Sequence, residues 1–360
     1  MPPATTLERH IEEIGSNDPI LAAAGEAVLA IAAAGRHIAV LVAAGPLAGP
    51  LAAVRIDSVR GDIQKELDLK TNDLLLTVLR EAPVAAVGSE ELEDAELLDV
   101  TAPVAVAIDP LDGSSNIDTN APIGTVFSIL PTAGFEHDPA AALLQPGRAQ
   151  LAAGFLLYGP QTSLIVSFGR GTQLFTLDWG RDAYVSTGEM LEIPAETKEY
   201  AINGSNYRHW EEPIRRYVDD CVSGAAGPRG DNYNTRWIAS MVAEAYRILV
   251  RGGIYLYPAD QRSSYVEGRL RLIYEANPIA FLVEQAGGRA TDGQRRILDI
   301  EPKGLHQRVP LVFGSRREVE HVARYYDQPD GRGERSPLFR HRTVFGASQS
   351  VRRSGGSHVG

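Results

Sequence analysis

The chain has 360 residues, 44% hydrophobic and 22% charged, a balance typical of a soluble globular protein large enough for two domains. Its formal net charge of −11 argues against a nucleic-acid-binding surface, which needs a basic face, but leaves room for an anionic ligand beside a divalent cation. The single cysteine, Cys221, cannot form an intrachain disulfide, and the first ten residues lack the apolar run of a signal peptide. We therefore expect a cytoplasmic protein.

The N-terminal part of the chain predicts helices over residues 21–34, 38–44 and 73–81, the last after a start signal at Thr71 and Asn72. Residues 20–51 are strongly apolar, but a membrane span there would have to accommodate Glu26, Arg36 and His37. We therefore expect a pair of buried, alanine-rich helices and no membrane association.

Short apolar runs then predict strands at 84–87, 104–108, 125–130, 152–157, 164–168 and 174–177. After about residue 200 the pattern alternates between helix (237–250, 278–285) and strand (254–257, 310–314). Beyond residue 326 the composition shifts to Arg, Gly, Ser and Pro, which predicts disorder. The sequence thus predicts an α/β protein with two α/β parts, 1–198 and 199–325, and a tail, 326–360.

Acidic residues follow two of the predicted strands. The strand at 104–108 delivers Asp109 at its C-terminal end, and Pro110 is expected to force a turn that brings Asp112 back beside Asp109 and exposes the Leu111 carbonyl. Such oxygen ligands suit magnesium or manganese. The glycine, hydroxyls and successive amides of residues 113–116 would suit a phosphate.

Three further acidic positions each have two interpretations. Glu90 and Glu91 are either a solvated surface pair or metal ligands, and the parallel strand–acid pattern ahead of Asp109 favours the second. Asp62, in the polar run 61–68 that also holds Asp68, is either a helix N-cap or a catalytic acid. Glu275 is either a ligand or an acid favoured near a helix N-terminus.

These segments together resemble class I fructose-1,6-bisphosphatases, within the lithium-sensitive, metal-dependent sugar phosphatases. The run IDPLDGSSNID at 108–118 resembles the metal and phosphate motif of that family. Residues 61–68, 88–91, 236–258 and 268–293 resemble its other blocks in the same order, and the resemblance covers about residues 7–326. It implies a layered α/β/α/β/α sandwich and hydrolysis of the 1-phosphate of fructose 1,6-bisphosphate by in-line attack of metal-activated water.

The resemblance also implies residue roles. Two magnesium ions, replaceable by manganese, with a third if Asp62 contributes, would be held by Glu90, Asp109, the Leu111 carbonyl, Asp112 and Glu275. The catalytic residues would be Asp62, Asp68 and Glu91. The 1-phosphate would lie at Asp112, Gly113, Ser114 and Ser115, and the sugar and its 6-phosphate at Asn203, Tyr257 and Arg269. Arg236 would reach a neighbouring subunit of a homotetramer that serves gluconeogenesis or the Calvin cycle.

The chain departs from familiar family members at several positions. Arg269 replaces a common lysine and Trp237 a common tyrosine, and the next substrate contact after Asn203 falls on either Asn206 or Tyr207. Arg271 is either a phosphate ligand or a surface arginine. An animal-type AMP site and a redox-controlled disulfide loop are not expected.

Alternative functions remain open at this stage. One is a sedoheptulose 1,7-bisphosphatase or an enzyme of dual specificity. Another is an inositol-monophosphatase-like enzyme, in which Arg236 and Arg269 would have no second phosphate to bind. The third is an inactive ligand-binding relative, which would be expected to lack at least one of the metal-binding acids, whereas all are present.

Overall fold

The structure, a computed structural model, describes residues 5–48, 54–55, 64–186, 188 and 190–327. The α-helices in these ranges are α1 Leu7–Gly15, α2 Pro19–Ala44, α3 Glu66–Leu79, α4 Glu212–Val222, α5 Met241–Arg251, α6 Asn277–Gln285 and α7 Arg316–Asp327.

The strands in the same ranges lie mainly in two sheets. They are β1 Thr5–Thr6, β2 Val54–Arg55, β3 Gln64–Lys65, β4 Val84–Ser89, β5 Glu96–Leu97, β6 Val104–Asp112, β7 Ile123–Pro131, β8 Ala152–Tyr158, β9 Thr162–Ser167, β10 Thr172–Asp178, β11 Ala183–Ser186, β12 Met190–Leu191, β13 Glu199–Ala201, β14 Asn234–Thr235, β15 Ile254–Tyr257, β16 Leu270–Arg271, β17 Arg289–Thr291, β18 Arg308–Val309 and β19 Leu311–Gly314. The first sheet has the order β1-β11-β10-β9-β8-β7-β6-β4-β5, with β12 beside β10, and the second has the order β14-β13-β15-β19-β17.

The two sheets and the helices form five layers. Helices α1, α2 and α3 share one hydrophobic core with the outer face of the first sheet. Helices α5 and α6 lie between the sheets, in a core that takes side chains from both. Helices α4 and α7 cover the far face of the second sheet. This order confirms the predicted layered α/β/α/β/α class, in which each sheet face is buried by a helical layer.

Helix α2 corrects one prediction. The expected helix pair is a single helix from Pro19 to Ala44, which continues through Gly35. A Cβ on Gly35 would lie 2.6 Å from Leu156 Cδ1 of β8, so the glycine lets the helix approach the sheet closely and does not break it. Within the described residues α2 is long and apolar enough to cross a bilayer, but its buried face packs in the core against the sheet.

Other helix boundaries were also misjudged. Helix α3 begins at Glu66, not at residue 73. Thr71 therefore lies inside the helix, where its hydroxyl donates to the Leu67 carbonyl, and it does not cap the start of the helix. Helix α5 begins only after Ser240, whose hydroxyl accepts the Ala243 N–H, so residues 237–240 are not helical. The division at residue 198 stays a prediction. Helix α7 includes residues 326 and 327, the first two of the predicted tail, and residues 328–360 lie outside the described residues.

Candidate active site

The candidate site lies where β4 and β6, the parallel pair of the first sheet, reach the same edge. Strand β6 continues to Asp112 through an irregularity in its pairing with β7: Asp109 lies opposite Val126 and Asp112 opposite Gly124. One extra residue on β6 makes this a β-bulge. The bulge, and not the predicted tight turn at Pro110, brings the two aspartates to the same side.

Three carboxylates meet at this edge. Each of Asp109, Asp112 and Glu275 has an oxygen within 4.8 Å of the others, and all three residues are buried, with exposed fractions of 5%, 7% and 7%. The backbone orients them: Asp109 accepts the Leu111 N–H at 3.0 Å, and Asp112 accepts the Val242 N–H at 3.1 Å from the first turn of α5. The acids are therefore held close together, away from water.

Burial and mutual repulsion make the ionised state of this cluster unfavourable. Burial, with the charges of Glu90, Asp112 and Glu275 added, raises the pKa of Asp109 well above its usual range. Burial raises the pKa of Asp112 to about 7, with Glu90 contributing. Burial and the charges of Glu90 and Asp112 likewise raise the pKa of Glu275. A cation bound here would relieve both effects.

Glu275 reaches the cluster from an unusual backbone segment. Residues Leu272–Ala276 form a turn of π-helix that leads directly into α6, a widened geometry common at functional sites. Glu275 accepts the backbone N–H of Arg271, and the Arg271 Nε lies 3.6 Å from Glu90 Oε1. Arg271 is buried, so its alternative interpretation as a surface arginine is wrong.

The glycine–serine turn adjoins the carboxylates. Residues Ser114–Thr119 form a short helical turn directly after Gly113, with Ser114 half-buried and Ser115 exposed. Asn116 donates to the Ala239 carbonyl at 2.7 Å and thereby ties this turn to the segment before α5. Amide and hydroxyl groups therefore lie next to Asp112, in the turn that the sequence predicts to bind a phosphate.

Of the remaining predicted acids, Glu90 is close enough to Asp109 and Glu275 to raise their pKa values. Asp68 is buried in the first turn of α3, and Glu90 and Glu91 follow β4, each partly exposed. The end of β4 is fixed to α3 by a hydrogen bond of 2.7 Å from Ser89 Oγ to Asn72 Oδ1. Asp62 lies outside the described residues.

The predicted substrate contacts fall into two groups. The Arg269 guanidinium lies 5.5 Å from the Tyr257 ring centroid, so these two residues are together. Asn203 caps the short helix Gly204–His209 and accepts the Ser205 N–H. The Arg236 side chain pairs with Glu199, at 3.2 Å.

Sequence reasoning missed part of the surroundings of Arg269. Asp260, Arg262 and Tyr265 contact it or one another, and Asn206, not Tyr207, faces them by accepting from Arg262 at 3.0 Å. Tyr207 instead donates to Asp219. Asp260 follows the end of β15 by three residues. The rule that singled out Asp109 could therefore have found it.

The fold and the site together define a class: a layered α/β protein with a site suited to a divalent cation and an anionic ligand. Comparison with known families gives two matches, the "Fructose-1-6-bisphosphatase, N-terminal domain" over residues 6–189 and the "Fructose-1-6-bisphosphatase, C-terminal domain" over residues 193–327. The chain belongs to the fructose-1,6-bisphosphatase family.

Individual relatives agree. The chain is 57% identical over 324 residues to a class 1 fructose-1,6-bisphosphatase of Azorhizobium caulinodans, covering 89% of this chain and 99% of the relative. It is 54% identical over 355 residues to the class 1 fructose-1,6-bisphosphatase of Acidiphilium cryptum, covering 98% and 99%. Among solved structures, the holo form of Leishmania major fructose-1,6-bisphosphatase is 32% identical with a TM-score of 0.82, covering 91% of this chain and 100% of that one.

Proposed function

We propose that this chain is a magnesium-dependent fructose-1,6-bisphosphatase, which hydrolyses the 1-phosphate of D-fructose 1,6-bisphosphate to give fructose 6-phosphate and phosphate. Family membership supports the reaction class. The single structural observation that carries the proposal is the buried group of Asp109, Asp112 and Glu275 beside the turn at 113–116.

The donor set fits a hard divalent cation. It consists of carboxylate oxygens, the ligands that magnesium and manganese prefer, and it contains no cysteine or histidine that would favour a softer metal. Asp109, Asp112 and Glu275, with Glu90 and the Leu111 carbonyl, would hold two magnesium ions, and Asp62 would assist a third. Bound magnesium would neutralise phosphate charge and lower the pKa of water, which phosphate-ester hydrolysis requires.

The other residues have roles of their own in the proposal. Asp68 and Glu91 orient the attacking water and accept its proton, with Asp62 assisting. Asp112 and residues 113–115 hold the 1-phosphate, through backbone N–H groups and the two serine hydroxyls. Tyr257 and Arg269 bind the distant end of the substrate, together with Asn203. Burial keeps bulk water away from the acids, which strengthens their attraction for a bound cation.

The test is phosphate release from fructose 1,6-bisphosphate, with magnesium and with EDTA, by the wild type and by Asp109→Asn. Magnesium-dependent release is expected from the wild type, and neither release nor magnesium binding from D109N. The matched control is Asp73→Asn, which changes an exposed aspartate of α3. Substantial magnesium-dependent activity of D109N would contradict the proposed metal site.

Two further substrates complete the assay. Release from sedoheptulose 1,7-bisphosphate at a comparable kcat/KM would make the enzyme one of dual specificity. Preference for inositol 1-phosphate over both bisphosphates would reject the proposed substrate class. No release from any of them by folded, magnesium-loaded protein would favour the inactive relative.

We also infer that the chain acts as a homotetramer in which Arg236 serves a neighbouring site. Arg236 directly follows β14, the edge strand of the second sheet, and its side chain is 49% exposed. Light scattering should give four subunits. Mixed oligomers of Arg236→Gln and Asp109→Asn should regain activity that neither variant has alone. A fully active monomer would contradict this inference.

A further inference from the structure

The bulge in β6 places two residues, Pro110 and Leu111, opposite a single residue of β7, Thr125. Proline has no N–H, so Pro110 cannot donate to β7. The Leu111 N–H donates to the Asp109 carboxylate at 3.0 Å. The bulge, on which Asp109 and Asp112 depend for their position, therefore needs another connection to β7.

The Thr125 side chain provides this connection. Its hydroxyl donates to the Pro110 carbonyl at 2.9 Å, and the residue is fully buried, at 0% exposed. Pro110 is buried as well, so its carbonyl depends on donors from the protein and not on bulk water. The hydroxyl thus takes the place of a backbone hydrogen bond that the bulge interrupts.

The Pro110 carbonyl and the Leu111 N–H belong to one peptide group. This group is planar and trans, so its C=O and its N–H point in opposite directions and turn together. Thr125 binds the C=O end, and the N–H end donates to Asp109 Oδ1 at 3.0 Å. Rotation of the group would therefore break both hydrogen bonds at once. The Thr125 hydroxyl thereby controls the donor that orients the Asp109 carboxylate.

Tyr158 of β8 orients the Thr125 hydroxyl in turn. Its phenolic oxygen lies 2.9 Å from Thr125 Oγ1, and the residue is 3% exposed. A hydroxyl has one hydrogen, and that of Thr125 goes to Pro110, so Tyr158 is the donor between the two. Burial raises the pKa of Tyr158 well above its usual range, so the phenol keeps its proton at neutral pH. The hydrogen bonds run from Tyr158 through Thr125 and the peptide group to Asp109.

A threonine at the other end of β7 shows what is particular to Thr125. Thr132 directly follows β7, and its buried hydroxyl donates to the Ala102 carbonyl at 2.9 Å. Strand β7 has nine residues and spans about 27 Å, so this bond lies far from the carboxylates. The Ala102 carbonyl belongs to the peptide group of Pro103, which has no N–H to donate. Of the two threonines, Thr125 alone binds a peptide group that also donates to a carboxylate of the candidate site.

We propose that Thr125 and Tyr158 are positioning residues of the metal site, which fix the Asp109 carboxylate for a divalent cation through the peptide group between Pro110 and Leu111. This proposal rests on the proposed function and deepens it, because it assigns part of the metal affinity to two uncharged residues. Partners that orient a metal-binding side chain affect metal affinity strongly, since a misaligned ligand loses part of its attraction for the ion.

The first test is manganese binding by the full-length, metal-free protein, followed by electron paramagnetic resonance. Thr125→Val keeps the shape of threonine but lacks the hydroxyl, and it should raise the dissociation constant for manganese about tenfold. The magnesium concentration for half-maximal phosphate release should rise by a similar factor. At saturating magnesium, KM for fructose 1,6-bisphosphate should change less than about twofold. Thr125→Ser keeps the hydroxyl and should recover most of the metal affinity.

The matched control is Thr132→Val, which removes a buried hydroxyl-to-carbonyl bond of the same length. It should lower the midpoint of urea unfolding as much as T125V does but leave the manganese affinity unchanged. An equal loss of manganese affinity in T132V, or an unchanged affinity in T125V, would overturn the proposal. A wild type that binds neither manganese nor magnesium would instead overturn the proposed function.

The second test asks whether Tyr158 acts through Thr125. Tyr158→Phe removes the phenolic donor and leaves the Thr125 hydroxyl, so it should weaken manganese binding about threefold, less than T125V does. The double variant T125V/Y158F should lose no more affinity than T125V alone, because the chain of hydrogen bonds is already broken. A product of the two losses would refute the assignment of Tyr158. If T125V does not fold, Y158F decides the proposal, and an unchanged manganese affinity in Y158F would overturn it.

Discussion

Replacing Asp112 by asparagine is expected to stabilise the metal-free protein at neutral and alkaline pH. Asp112 is 7% exposed and belongs to a cluster of acids, and this environment raises its pKa from 3.8 to about 7. The difference between these two values, about three pKa units, corresponds to about 4 kcal/mol of unfolding free energy. Asparagine keeps an oxygen that can accept the Val242 N–H but never ionises.

The sign follows from linkage. Because the folded-state pKa is raised, the contribution of Asp112 to stability is fully present below its unfolded pKa of 3.8 and is lost as the pH rises through about 7. The metal-free wild type should therefore lose about 4 kcal/mol more than D112N between pH 4 and pH 8. Magnesium should restore the stability of the wild type but have a much smaller effect on D112N.

The assay is urea unfolding of both proteins at several pH values, in EDTA and in magnesium. The exposed Asp73 provides the control, and D73N should follow the wild type at each pH. Equal stability of D112N and the wild type in EDTA at pH 8 would refute the reasoning, because it would mean that the buried charge is already compensated without a metal.

Three further predictions concern residues outside the site. Arg229→Met should destabilise the protein by about 3–5 kcal/mol in urea unfolding, because it leaves Glu318 charged without its cationic partner; the side chains of this ion pair are only 6% and 9% exposed. Gly35→Ala should lower the unfolding free energy by about 1–3 kcal/mol, because its new methyl group would overlap Leu156. Cys221 should not react with a thiol reagent at pH 8 in the native protein and should react after unfolding, because burial raises the pKa of its thiol to about 12.

Each of these has a control or a contrary outcome. Arg317→Met breaks an ion pair that is 68% and 72% exposed and should change stability by less than about 1 kcal/mol. Gly304→Ala adds a methyl group with nothing within 4 Å and should be nearly neutral. Equal losses of stability in R229M and R317M would contradict the importance of the buried ion pair, and equal losses in G35A and G304A would contradict the close packing at Gly35. Rapid labelling of Cys221 in the native protein would contradict its burial.

The sequence predicted most of the longer strands, because they are apolar runs with both faces covered, but it missed short or half-exposed strands such as β11 and β12. Strands β4 and β6 appear as such runs, and acids at their ends pointed to the edge where the candidate site lies. The start of α3 was misplaced, because Thr71 bonds to a carbonyl one turn earlier as readily as it caps a helix. Local residue type alone does not separate these two uses.

Contacts between distant segments were harder to predict. Nothing in the neighbourhood of Gly35 reveals that Leu156 lies against it, and nothing near Arg271 reveals its burial beside Glu90. The bulge after Asp109 is likewise set by pairing with β7 and not by Pro110 alone. The site acids were identifiable by chemical type, but their environment depends on packing.

The segment from Tyr257 to Glu275 connects Arg269 with Glu275, one of the three carboxylates of the candidate site. Gly268 fixes its course: its φ is +89°, and a Cβ there would lie 2.2 Å from the backbone of Val309 on the paired strand β18. Strand β16 is thereby held against β18, with Arg269 before it and the π turn that carries Glu275 after it. The spacing between Arg269 and Glu275 is therefore set within one short, paired segment. Because Asp109 and Asp112 lie on β6 of the first sheet, a shift of β16 against β18 would move Arg269 and Glu275 together relative to those two aspartates.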